Sequence, residues 1–144
     1  MKLDEKDIQI LSILKQNSAL TTSQISKKIN VPITTIHNRI KKLRQEKIIK
    51  NYTINIDFEK IGKPLTAYVL ITVNQNKKIS QKDIGLHLKK IDGVEIVDIV
   101  TGATDILIKI RASTMHDLNN LITEKLRNIE GIDKTQTMVV LEEI

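Results

Sequence analysis

A chain of 144 residues has room for one ordinary domain or two small ones, and for no third. The net charge of +6 is uneven: residues 1–60 hold 12 Lys/Arg against 6 Asp/Glu, whereas residues 61–144 hold 11 against 11, so the whole excess sits in the first part. No stretch reaches the ~18 apolar residues of a membrane span, the charged start lacks a signal-peptide apolar core, and the absence of cysteine excludes disulfides and thiolate chemistry, so a cytoplasmic chain is expected.

Asp4 reads as the N-cap of a first helix, with Leu3 and Ile8 spaced as a hydrophobic staple. Ile8, Leu11 and Leu14 mark its buried stripe, Ile10 and Ile13 widen it, and Asn17-Ser18 ends it. A second helix starts at Thr21, which forms a capping box with Gln24, while Leu20 and Ile25 repeat the staple. It closes near Ile29. Asn30 tolerates the left-handed conformation of a tight turn, and Pro32 suits the opening of a third helix that ends before Lys47. Helix, short turn and helix follow one another, as in a helix-turn-helix.

The third helix buries Ile36, Ile40 and Leu43 at i, i+4 and i+7. Its opposite face carries Thr34, Asn38, Lys41, Lys42 and Gln45, flanked by Thr35, His37, Arg39 and Arg44, and contains no acid. From residue 27 to residue 50 there are eight basic residues and one acidic residue, Glu46. Such a block attracts a polyanion through counterion release, and on a helix-turn-helix that partner is double-stranded DNA. Lys27, Lys28, Lys41, Lys42 and Arg44 are candidates for phosphate contacts, and Thr34, Thr35, Asn38 and His37 for base edges. Thr21, Thr22, Ile33, Arg39 and Gln45 complete the candidate DNA-binding set. A three-helix protein-interaction module is the alternative on charge and geometry.

Residues 48–56 look like a strand leading away from the third helix, and residues 57–64 read as a hinge where the charge excess stops. The expected division is therefore a helix-turn-helix domain over 1–50, a linking strand and hinge over 51–64, and a second domain over 65–144. Only two prolines and five glycines argue against long disordered linkers.

In the second domain the pattern runs strand, helix, strand, strand, helix, strand. Residues 65–73 alternate; Ser80 caps a helix with Asp83 at N3 and an Ile79–Ile84 staple; residues 94–101 and 105–112 are β-branched runs. Thr114 caps a helix burying Leu118, Leu121, Ile122, Leu126 and Ile129, and residues 133–141 supply the last strand. Both helices end in a matching phrase that places Gly93 and Gly131 where a helix C-cap wants a left-handed residue. The class is α+β, a three-helix helix-turn-helix followed by a ferredoxin-like βαββαβ domain. Leu65, Ala67, Val69, Ile71 and Val73 form one apolar set on the first strand, yet Tyr68 and Leu70 lie on the other face. Two helices cover one face only, so at least a homodimer, an α/β sandwich of two sheets, is expected.

Gly102 and Asp105 bracket a tight connection between two strands, read as a hairpin turn in which glycine supplies positive φ and aspartate a side-chain cap. His37, His87 and His116 have no partner at metal-ligand spacing, so no metal site and no cofactor are assigned. No phosphate loop, nucleophile elbow or H-E-x-x-H pair is present, which argues against an enzyme.

Over essentially its whole length the sequence resembles the leucine-responsive and asparagine regulator family, Lrp/AsnC, also called feast/famine regulators. Leu3-Asp4-x-x-Asp7-x-x-Ile10-Leu11 resembles the family's opening helix; Ile25-Ser26-Lys27-Lys28-Ile29 and Arg39-Ile40-Lys41-Lys42-Leu43 resemble its two DNA-reading helices; Ile48-Ile49-Lys50-Asn51-Tyr52 resembles the strand that follows. Thr101-Gly102-Ala103-Thr104-Asp105 falls where the family carries a Gly-x-x-Asp loop in its ligand-sensing domain, and Thr137 matches a threonine common in the last strand. Asn30 and Lys47 stand where glycine is frequent, and Pro32 where serine often caps the recognition helix. The resemblance implies a winged-helix transcription regulator, dimers assembling into tetramers or octamers, and an amino-acid effector bound between dimers near the loop, with Thr101, Gly102, Ala103, Thr104, Asp105 and Thr137 as effector-binding candidates. A low-specificity DNA-coating protein and a small-molecule-sensing regulatory subunit of a biosynthetic enzyme are the alternatives.

Overall fold

The computed structural model describes residues 2–74, 76 and 78–143; Met1, Gln75, Lys77 and Ile144 lie outside the described residues. The chain divides into two compact units, Met1–Asn55 and Ile56–Ile144. Of the segment expected as linking strand and hinge, residues 51–55 fall in the first unit and 56–64 in the second. Arg44 lies over the Tyr52 ring and the Ser18 hydroxyl donates to the Thr53 carbonyl in the first unit, whereas Phe58 covers Arg111 in the second.

The first unit consists of α1 (Glu5–Gln16), α2 (Thr22–Ile29) and α3 (Ile33–Gln45). Asp4 and Thr21 are the N-caps of α1 and α2, each closing a capping box, with Asp7 and Gln24 as the reciprocal partners. Asn30 takes the left-handed conformation at φ 52°, and Pro32 precedes α3 with no side-chain cap bond. Ile10, Leu14, Ile25, Val31, Ile36 and Leu43 form the core, with Ile40 packed half-buried beside it. The buried line of α1 is not the one its apolar spacing indicates. Ile8 is 52% exposed, and Asp7, at 3%, takes the inward position one turn before Ile10 and Leu14 because a cation on α3 meets it there.

After α3 the chain turns back through Lys47 at φ 55°, and the Ile48 and Ile49 N–H groups both donate to the Leu43 carbonyl. Residues 48–56 form no strand. Their β-branched composition suits extended backbone, but a strand needs a ladder partner, and none of the described residues supplies one.

The second unit is built from β1 (Leu65–Val73), α4 (Gln81–Leu88), β2 (Val94–Ile99), β3 (Ile106–Ala112), α5 (Met115–Asn120) and β4 (Ile132–Val139), with Ser80 and Thr114 as the N-caps of the two helices. The sheet order is β2-β3-β1-β4 with every neighbouring pair antiparallel, the ferredoxin-like arrangement. Ala67, Val69, Ile71, Ile106, Ile108 and Ile110 bury one face against Ile84, Leu88, Leu118, Leu121 and Leu126. Beyond Asn120 the last helix widens into a π-helix, Leu121–Leu126. Ile122 within it and Ile129 in the turn beyond it are half-buried against the core rather than fully buried.

Gly93 and Gly131 are left-handed, at φ 91° and 96°, but sit in the turns into β2 and β4 rather than at the helix C-caps themselves. Gly93 also needs the space: a Cβ there would lie 2.8 Å from the Arg111 carbonyl. On the other sheet face Tyr68, Leu70 and Leu107 are half-buried while Ile96 and Met138 are exposed at 43% and 44%. Among the described residues no helix is long and apolar enough to cross a membrane.

Candidate DNA interface and effector loop

The packing of Ile36, Ile40 and Leu43 against α1 and α2 leaves the opposite side of α3 open. Thr34, His37, Asn38, Lys41, Lys42, Arg44 and Gln45 are exposed, Thr35 is half-buried, and Ile33 is half-exposed at the first turn. Lys27 and Lys28 are exposed in the last turn of α2, where the helix dipole favours cations. Among the described residues Lys27, Lys28, Lys41 and Lys42 form no ion pair, so their charge is available to an external anion. The hydroxyl of Thr21 is occupied in accepting from the Gln24 N–H at 3.2 Å, and Thr22 is half-buried behind it.

Arg39 is placed differently. Its guanidinium points into the unit, with Nη1 2.8 Å from Asp4 and 2.7 Å from Asp7. The hydrogen bonds from the two carboxylates raise its pKa above the ordinary arginine value, Asp7 contributing most. Asp4 is held below the usual carboxylate range by the Asp7 backbone N–H and then by Arg39.

Beside the exposed face runs a groove of about 630 Å³ lined by His37, Ile40, Lys41, Arg44, Gln45, Ile49 and Lys50. Its lining contains no acidic side chain. It exists because the left-handed Lys47 brings the chain back alongside α3. The groove sets Lys41, Arg44 and Lys50 around an apolar floor of Ile40 and Ile49.

In the second unit Thr101, Gly102 and Ala103 are exposed between β2 and β3, and Thr104 and Asp105 are half-buried. Gly102 has φ 122°, with open space around the position of a Cβ, so backbone conformation alone demands glycine there. Asp105 does not cap its own turn. Its carboxylate accepts from the Val73 N–H at 2.8 Å and from the Gln81 side-chain amide at 2.9 Å, while its own N–H donates to the Ile71 carbonyl at 3.0 Å. It therefore ties the loop to the end of β1 and to the first residue of α4. Thr137 is exposed on β4 opposite Val69, two strand spacings from β3 and three residues along from Asp105, so it lies roughly 14 Å from the loop. Within one protomer these candidates are not gathered around one point.

Residues 3–50 match the family model described as winged helix-turn-helix DNA-binding, and residues 66–144 match the Lrp/AsnC ligand binding domain. The chain belongs to the Lrp/AsnC family. It is 40% identical over 137 residues to an uncharacterised HTH-type transcriptional regulator of Pyrococcus furiosus, which covers 95% of this chain and 91% of that one. Solved Lrp/AsnC-like structures superpose along its length. A Neisseria meningitidis transcriptional regulator determined as an L-Met complex has a TM-score of 0.92 at 25% identity, covering 99% of this chain and 92% of that one. LrpC of Bacillus subtilis has a TM-score of 0.86 at 27% identity, covering 100% and 98%. The chain thus joins a DNA-binding domain to a ligand-binding domain, as transcriptional regulators of this family do.

Two residues of this Lrp/AsnC chain escape a reading of its sequence. Lys50 joins the groove beside α3 only because Lys47 adopts positive φ, for which the frequency of glycine at that family position is the available signal. Gln81 reaches Asp105 across 24 residues, and no local pattern announces such a bond.

Proposed function

We propose that this protein is a non-enzymatic, cytoplasmic, sequence-specific transcription regulator that acts as a homodimer. The observation that carries the reading is the exposed, acid-free face of α3, with Lys27 and Lys28 beside it. Two α3 helices enter successive major grooves of a pseudo-palindrome about one helical turn apart. Asn38 and Thr34, with Thr35 and His37, read base edges; Lys27, Lys28, Lys41, Lys42 and Arg44 hold phosphates, and Gln45 and Ile33 border the interface. The second sheet face, with Tyr68, Leu70, Leu107, Ile96 and Met138, is the surface that a second copy covers.

The effector is an amino acid, by analogy with the Neisseria regulator's L-Met complex. Because Gly102 to Asp105 and Thr137 do not converge in one protomer, the effector site is completed by another copy, in a tetramer or octamer. Binding-site selection from random DNA, with and without an amino-acid mixture, tests both halves. A single enriched palindrome whose affinity or assembly shifts with one amino acid is expected. Enrichment of nothing over bulk DNA would leave only DNA coating, and no amino-acid effect on affinity, assembly or melting would remove the effector. On the selected site Asn38→Ala changes base preference, whereas Lys42→Ala weakens all sequences alike and flattens the salt slope by about one. Uniform loss from both would contradict the assigned face.

A further inference from the structure

One cation of the recognition helix is committed inward. Arg39 Nη1 donates to both Asp4 carboxylate oxygens at 2.8 Å and to Asp7 Oδ1 at 2.7 Å, and its Nε is buried without a partner among the described residues. The two acids are already coupled: the Asp7 N–H donates to Asp4 Oδ1 at 2.9 Å and the Asp4 N–H to Asp7 Oδ2 at 3.1 Å, which is the α1 capping box. Arg39 therefore ties the middle of α3 to the first turn of α1. Asp7 is 3% exposed, so withdrawing the guanidinium to meet a phosphate would strand a buried carboxylate. The cluster of one cation and two anions also carries net negative charge, which repels DNA rather than recruiting it.

We propose that Arg39 is a positioning residue for DNA recognition: with the Asp4–Asp7 capping box as its receptor, it sets the rotation and height of α3 and makes no DNA contact itself. All three contacts come from the one nitrogen Nη1, and the rigid guanidinium plane fixes where that nitrogen sits, which a lysine ammonium on a flexible stem does not reproduce. Among the described residues the core packing of α3 against α1 and α2 is aliphatic, and aliphatic contacts fix depth better than rotation. The proposal rests on α3 being the DNA-reading helix.

The sharpest consequence concerns Asp7. Removing a negative charge from a domain that binds a polyanion strengthens binding if charge is all that matters. Positioning demands the reverse. The full-length protein is titrated across a salt series against the duplex it selects from random DNA, as wild type, Arg39→Lys, Arg39→Gln, Asp7→Asn and the Arg39→Gln/Asp7→Asn double variant, with Lys42→Ala as the phosphate reference. Each single variant is expected to lose about tenfold in affinity, and the double variant to be no weaker than the weaker single, as coupled neighbours behave. The salt slopes of all four stay at the wild-type value while Lys42→Ala flattens by about one. Asp7→Asn binding as tightly as wild type, or Arg39→Gln flattening the slope by about one, would overturn the proposal. Should Arg39→Gln fail to fold, Arg39→Lys and Asp7→Asn still decide it, since a phosphate contact survives the lysine and a rigidly placed Nη1 between two carboxylates does not. Wild-type protein that selects no DNA would sink the DNA reading and this role together; normal wild-type binding with an indifferent Asp7→Asn sinks this role alone.

Discussion

The two units differ in where their ion clusters lie. In the first, Lys27, Lys28, Lys41 and Lys42 stand exposed without ion pairs among the described residues, and the one ion cluster, around Arg39, faces inward. In the second, Lys109 and Arg111 lie on the sheet, 14% and 9% exposed, and both are saturated by acids of the same unit: Lys109 by Glu143 at 2.8 Å, Arg111 by Glu95 at 2.9 Å and by Glu143, with Phe58 4.1 Å from the guanidinium. Residue type therefore does not assign the role. Lys27, Lys28, Lys41 and Lys42 leave their charge on the surface, whereas Lys109 and Arg111, with carboxylates beside them, are part of the scaffold.

The comparison also concerns independence. Among the described residues the first unit is centred on six buried apolar residues and the second on thirteen, so one truncation removes a larger share of the smaller core. Leu43→Ala should cost the first unit about 3 kcal/mol, the largest effect predicted here. Calorimetry is expected to show the lower transition moving while the other stays. Equal shifts of both would break the two-unit division.

Backbone conformation separates the units again. The first places non-glycine residues at positive φ, Asn30 and Lys47, whereas the second uses Gly62, Gly93, Gly102 and Gly131. Gly93→Ala meets both a left-handed φ and the Arg111 carbonyl, and should cost about 2 kcal/mol. Lys47→Gly should instead gain ~0.5 kcal/mol, the relief of strain being partly offset by unfolded-chain entropy. Urea midpoints of the two variants shifting in the same direction would contradict the contrast.

What the sequence disclosed follows the same division between local and distant causes. The N-caps Asp4, Thr21, Ser80 and Thr114, the left-handed Asn30 and the order of strands and helices are all set by neighbours within a few positions, and each is where the residues indicate. Asp7 is the instructive exception: apolar periodicity assigns buried positions by hydrophobicity, so it put Ile8 inside and missed an acid whose burial depends on a cation 32 residues away. The same limit hid the partners of Arg39, since a charge pattern registers sign but not the carboxylates of Asp4 and Asp7 that meet it. Residues 48–56 have the composition of a strand and lack the ladder, Asp105 looks like a turn cap and reaches Val73 and Gln81, and the π-helix at Leu121–Leu126 has no signature in residue spacing.

The last effect tests whether the paired cations of the second unit are scaffold. Arg111 first and Lys109 second hold the Glu143 carboxyl down from 4.5 to about 2. A folded pKa below the unfolded one means stability that is complete above pH 4.5 and is lost as the pH falls toward about 2. Glu143 is 46% exposed, so solvent screening cuts the contribution to roughly 1 kcal/mol or less, ~4 °C in the melting temperature of the second unit. Glu143→Gln should lower that transition by this amount at pH 7 and leave it flatter between pH 5 and about 2 than in wild type, while the first unit's transition keeps its wild-type acid profile. If the variant's acid profile matches wild type in the second unit, Glu143 is an idle surface charge. Lys109 and Arg111 would then need another partner to keep them from an anion.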